Sequence, residues 1–147
     1  MKVLFWNSRG LGNPSKITAL KDLINQEKPE VVLVQETKQG QQEMKKIIAQ
    51  HKQYKGSVCE SRGASRGIAT LWNQNAWNII AEIINQHWIK TALESTTNNQ
   101  RIIIYNVCAP NHYRDKEQCW SSPSENIADK ENSNIILGGR FKSHFAL

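Results

Sequence analysis

Lys2-Val3-Leu4-Phe5-Trp6-Asn7 and Val31-Val32-Leu33-Val34-Gln35-Glu36 are the two runs that decide how this chain folds. Each is short, apolar and strand-like, and each ends in a polar residue that a buried strand does not need. Between them Asn13 has the chemistry of an N-cap and Pro14 that of a first helical position. Ile17, Leu20 and Ile24 recur at helical spacing with Leu23 beside them, which predicts an amphipathic helix over residues 14–27, closed by Lys28-Pro29. The run 31–35, four apolar residues closed by Gln35, is the pattern of a strand buried on both faces. Neighbouring strands that end together put their terminal side chains side by side. An amide and a carboxylate at such an edge are hard-oxygen donors of the kind that suits Mg²⁺.

Working outward, a second helix is predicted over residues 39–51, with Met44, Ile47, Ile48 and His51 on one face. The texture then turns to β. Strands are predicted at Tyr54–Val58, Gly67–Trp72, Trp77–Ile84, His87–Leu93 and Arg101–Val107. The segments between them have turn composition, so these strands are expected to be antiparallel. Residues 111–134 have Trp120 and Ile127 as almost their only strong apolar anchors, and Pro123 breaks any single helix; a poorly packed helix or loop is expected there. Ile135-Ile136-Leu137 is the final predicted strand, running into Gly138-Gly139-Arg140-Phe141-Lys142.

A chain of 147 residues suggests one domain with a real core. Its net charge of +6 favours polyanionic partners, although no dense Lys/Arg block is present and ordinary solubility charge is an equal reading. Cys59, Cys108 and Cys119 are odd in number and lack C-x-x-C spacing, which indicates neither a disulfide framework nor a zinc site. The apolar run after Lys2 is too short for a signal peptide, and nothing approaches the about 20 residues of a membrane span. These features lead to the expectation of a reduced intracellular protein, the nucleus being one compartment open to it, with no membrane partner and no dedicated protein partner.

Glu36 is the sharpest chemical candidate, because a charge after four apolar residues must lie at an exposed strand end or be paired. Asn7 has a local alternative, a loop-starting Asn that bonds nearby backbone. Gly10 and Gly12 let the loop between strand and helix turn sharply. His51, His87, His112 and His144 are scattered, with no metal-ligand spacing, and His51 and His87 read as structural. Cys108 reads as a small buried residue rather than a nucleophile.

Phe5-Trp6-Asn7-Ser8-Arg9-Gly10-Leu11-Gly12 and Val34-Gln35-Glu36-Thr37-Lys38 resemble the opening motifs of the endonuclease/exonuclease/phosphatase superfamily, and most of all those of the apurinic-type endonuclease domain of plant LINE (non-LTR) retrotransposons. Ser65-Arg66-Gly67-Ile68-Ala69-Thr70-Leu71-Trp72, Asn106-Val107-Cys108-Ala109-Pro110-Asn111 and Ile136-Leu137-Gly138-Gly139-Arg140-Phe141-Lys142 continue the match in order. The resemblance implies an α/β fold, a partial four-layer α/β/β/α sandwich formed by residues 1–147 as one C-terminally truncated domain. It implies Mg²⁺ as cofactor, DNA as partner and hydrolysis of a phosphodiester. By the same resemblance Glu36 binds the metal, Asn7 helps hold metal and phosphate, and Asn111 contacts nucleic acid.

The departures are as specific as the matches. The family has tyrosine where Cys108 stands, aspartate where Arg140 stands and asparagine where Lys142 stands, and its late Asp-His motif is absent from these residues. Tyr105 is a poor substitute for the tyrosine, since a strand that alternates points it to the opposite face from Cys108. The aspartate positions the attacking water, and losing one general base typically costs about 10²–10⁴ in rate. The sequence therefore reads as the remnant of a Mg²⁺-dependent LINE-type DNA endonuclease, inactive or severely impaired. The alternative is a basic module that binds nucleic acid without cutting it. A change of substrate within the superfamily, to an inositol-phosphate or sphingomyelin phosphodiesterase, fits the Asn7–Gly12 segment less well.

Overall fold

The computed structural model describes residues 1–62, 66–108 and 134–140. The chain order is β1 (Val3–Asn7), α1 (Pro14–Glu27), β2 (Val31–Gln35), α2 (Gln41–Ala49), β3 (Tyr54–Cys59), β4 (Ile68–Asn73), β5 (Trp77–Ile84), β6 (Trp88–Ser95), β7 (Arg101–Cys108) and β8 (Asn134–Arg140).

The helix between the first two strands forms for the reasons its sequence offers. Asn13 is extended and its Oδ1 accepts from Ser15 N at 2.9 Å, while Pro14 occupies the first turn. Lys28 stops the helix in a left-handed conformation, its N–H bonding Ile24 O, and Pro29 prevents continuation. This crossover lets β1 and β2 lie parallel, with Val3 opposite Val31 and Asn7 opposite Gln35. The second helix is shorter than the predicted 39–51. Gly40 is extended and Gln39 O accepts from Ser61 N at 3.1 Å, so residue 39 belongs to the loop. At the other end Gln50 and His51 close the chain with bonds to Ile47 O and Ile48 O, a tightened last turn.

The strands form two four-stranded sheets, ordered β1-β2-β4-β3 and β5-β6-β7-β8. β3 and β4 pair antiparallel, as do β5, β6 and β7, whereas β8 joins β7 in parallel. β2 is buried along its whole length. Its Val32 and Val34 pack with Leu20, Ile24, Met44, Ile47 and Ile48 of the helices. Its Val31 and Leu33 pack between the sheets with Trp72, Trp77, Leu93, Ile102 and Ile104. The result is an α/β sandwich: helices on the first sheet, and the second sheet against its other face. A separate buried cluster, Trp88, Ile103, Tyr105 and Val107, lies on the second sheet. The helix or loop expected over residues 111–134 lies outside the described residues, except Asn134, which opens β8.

β8 is longer than the predicted Ile135-Ile136-Leu137. Gly138 continues the strand because its bare backbone packs under the first sheet: a Cβ there would overlap the Phe5 ring and come within 2.8 Å of Leu33 Cδ1. Among the described residues no helix is long and apolar enough to cross a membrane.

Candidate functional site

The parallel pairing of β1 with β2 and of β7 with β8 brings four strand ends to one edge of the sandwich. Asn7 stands opposite Gln35 in the first sheet, and Cys108 opposite Arg140 in the second. Buried side chains fix the two sheets to each other here. Gln35 Nε2 donates to Asn106 Oδ1, and Asn106 Nδ2 donates to Ala69 O at 2.9 Å and Thr70 Oγ1 at 3.2 Å. The residue beside Asn7 in register is therefore Gln35, and Glu36 lies one position past the strand.

Glu36 is placed by its backbone. It adopts φ 51°, as Lys38 adopts φ 52°, a left-handed turn that non-glycine residues take only where surroundings impose it. Those surroundings are visible on both sides. Ser8 Oγ donates to Gln35 O and Glu36 O at 3.1 and 2.9 Å, and Gly10 N donates to Glu36 O at 2.8 Å. From the other side Thr37 N donates to Gly67 O and Lys38 N to Arg66 O, at 3.0 and 2.8 Å. Gly67 has φ +86° and faces Thr37 Oγ1 so closely that a Cβ would overlap it; only glycine lets the two segments meet.

This zipper delivers Arg66 to Glu36. Arg66 Nη1 donates to Glu36 Oε1 at 2.9 Å, with the carboxylate side chain 6% exposed and the arginine side chain 44% exposed. Burying a carboxylate demands a paired charge, and the guanidinium supplies it. Arg66 was not among the residues singled out from sequence. The only signal was its place in Ser65-Arg66-Gly67, just before a strand.

Cys108 ends β7 in a buried cluster with Cys59, Ile68 and Ile89. Burial pushes its thiol pKa up; a backbone hydrogen bond with Arg66 and the arginine charge oppose that push with smaller effect. The thiol is thus held protonated, in keeping with the reading of a small buried residue. Asn7 is exposed, and its Oδ1 accepts from Arg9 N at 3.1 Å, the local turn that was its alternative reading. Arg140 is placed by its backbone at the end of β8; Asn111 and Lys142 lie outside the described residues. His51 is buried at the far end of the first sheet, and His87 touches this edge through its carbonyl, which accepts from Cys108 N at 2.7 Å.

The donor set does not fit a divalent ion as it stands. Glu36 Oε1 is engaged by Arg66 and Asn7 Oδ1 by the Arg9 amide. Among the described residues no three His, Cys, Asp or Glu side chains gather where they could hold a metal ion. The charge that the fold offers the buried carboxylate is organic.

The sequence model of the Endonuclease/Exonuclease/phosphatase family matches residues 4–138. Among curated proteins none matches the chain. Solved structures share the fold at low identity. The human Nocturnin catalytic domain superposes with TM-score 0.73 at 14% identity, covering 98% of this chain and 64% of that one. The mannosyl-6-phosphatase Bt3783 of Bacteroides thetaiotaomicron gives 0.74 at 9%, covering 95% and 64%. D. rerio TDP2 complexed with single-strand DNA product gives 0.71 at 11%, covering 95% and 59%. The chain spans under two thirds of the length of each of these three.

Proposed function

The chain belongs to the Endonuclease/Exonuclease/phosphatase family, and from that premise we propose that it is a degenerate LINE-type endonuclease domain that meets DNA phosphodiesters at the Asn7–Glu36 edge with hydrolysis lost or severely impaired. One observation carries the reading: the carboxylate where the resemblance expects a metal ligand is ion-paired with Arg66 at 2.9 Å. A carboxylate held this way offers Mg²⁺ an oxygen already engaged by a cation, so coordination at Oε1 competes with that pair. The aspartate expected to position water is replaced by Arg140, and the tyrosine by Cys108, whose thiol cannot reach where a phenol would. Substrate remains the family's in class, a phosphate ester, and DNA is supported by the five ordered LINE-like motifs and by a D. rerio TDP2 relative of the same fold complexed with single-strand DNA product.

A non-catalytic nucleic-acid-binding role is the second reading, favoured by the net charge of +6. Both readings require phosphate contacts by Lys and Arg, which release counterions. Binding of a fluorescent DNA duplex should weaken linearly on a log–log plot against salt. A flat salt response, or no binding at low salt, contradicts both.

A further inference from the structure

Arg66 is a cation whose position is built into the backbone rather than left to its side chain. Its carbonyl accepts from Lys38 N at 2.8 Å, two residues beyond Glu36, and the next carbonyl, of Gly67, accepts from Thr37 N at 3.0 Å. The guanidinium therefore starts from a fixed point beside the carboxylate, and Nη1 meets Oε1 at 2.9 Å. The two partners are unequal in exposure: Glu36 is enclosed, whereas 44% of the Arg66 side chain is open to solvent. A guanidinium carries five donors in a planar fork that matches two oxygens of a phosphate. One nitrogen bound to a carboxylate leaves further N–H donors on a side chain that is 44% exposed.

Elementary electrostatics makes Arg66 and a divalent ion rivals. Each satisfies one buried negative charge, and both cannot occupy Glu36 Oε1 without placing like charges in contact. We propose that Arg66 is the resident cation of this site: it holds Glu36 in place of a divalent ion and is itself the group that receives a phosphate oxygen. The phosphate half of this rests on the reading given under Proposed function; the rivalry with a metal does not.

The two halves are separated by two measurements. Titration calorimetry with Mn²⁺ compares the wild-type chain, Arg66→Gln and the double variant Arg66→Gln, Glu36→Gln. Arg66→Gln should bind Mn²⁺ at least about tenfold tighter than wild type, and the double variant should lose that gain. Equal or weaker binding by Arg66→Gln overturns the proposal. Should Arg66→Gln fail to fold, the isosteric Glu36→Gln decides. In EDTA it releases the guanidinium from its carboxylate, so a short DNA duplex should bind about threefold tighter or better. Unchanged or weaker binding in EDTA overturns the proposal, because a carboxylate that does not restrain Arg66 gives no gain. If neither wild type nor Glu36→Gln binds the duplex, Arg66 receives no phosphate, and the reading of the site as a phosphodiester edge fails with it. The Mn²⁺ comparison still decides the rivalry.

Discussion

Asn106 is the side chain on which the two sheets meet at the site. It is fully buried, takes the Gln35 amide on one side and gives its own to Ala69 O and Thr70 Oγ1 on the other. Asn106→Ala should cost about 1–3 kcal/mol, read as a lower urea midpoint, because it orphans buried polar groups rather than removing a contact water can replace. Asn7→Ala, at an exposed turn, should cost less. His51 carries a pH dependence. Burial first and the Lys21 charge second lower its pKa below 6.5, so the unfolded chain takes up a proton that the folded chain refuses. Stability from this group is intact above 6.5 and falls as pH drops through 6.5 toward the folded value. Urea midpoints measured from about pH 7.5 to about pH 5.5 should fall, and His51→Gln should flatten that fall. Asn7 and Glu36 were legible in sequence because each interrupts an apolar run. Arg66 was not, since an ion pair spanning 30 residues leaves no local spacing to read.

At the scale of elements, α1 and β2 follow from local causes that the sequence displays. The cap at Asn13, the Pro14 start and the period of Ile17, Leu20 and Ile24 define α1. The four apolar residues of β2, Val31 to Val34, declare burial on two faces, and both faces are occupied. β8 ran past its prediction because Gly138-Gly139 has turn composition, while the need for a bare backbone under Phe5 and Leu33 arises only when the sheets close. Gly138→Ala tests this. Overpacking at that contact should destabilise the chain by about 1–3 kcal/mol, measured by thermal or urea unfolding. A neutral result would mean that β8 does not pack against β1 and β2 there.

For the whole molecule, the division of strands between two sheets was the part that sequence withheld. The turn at residues 74–76 has the same composition whether β5 stays beside β4 or crosses to a second sheet, and it crosses. The crossing aligns the ends of β1 and β2 with those of β7 and β8 and so creates the edge where Asn7, Glu36, Arg66 and Cys108 are gathered. The fold rests on Val31, Leu33 and Asn106, all in buried contacts, whereas the proposed loss of metal-assisted hydrolysis rests on Glu36, the buried carboxylate that Arg66 pairs. The account is tested most directly by incubating the purified chain with supercoiled plasmid and Mg²⁺, beside its Glu36→Ala variant. It predicts no nicking above that of the variant. Robust nicking that disappears in Glu36→Ala would contradict it.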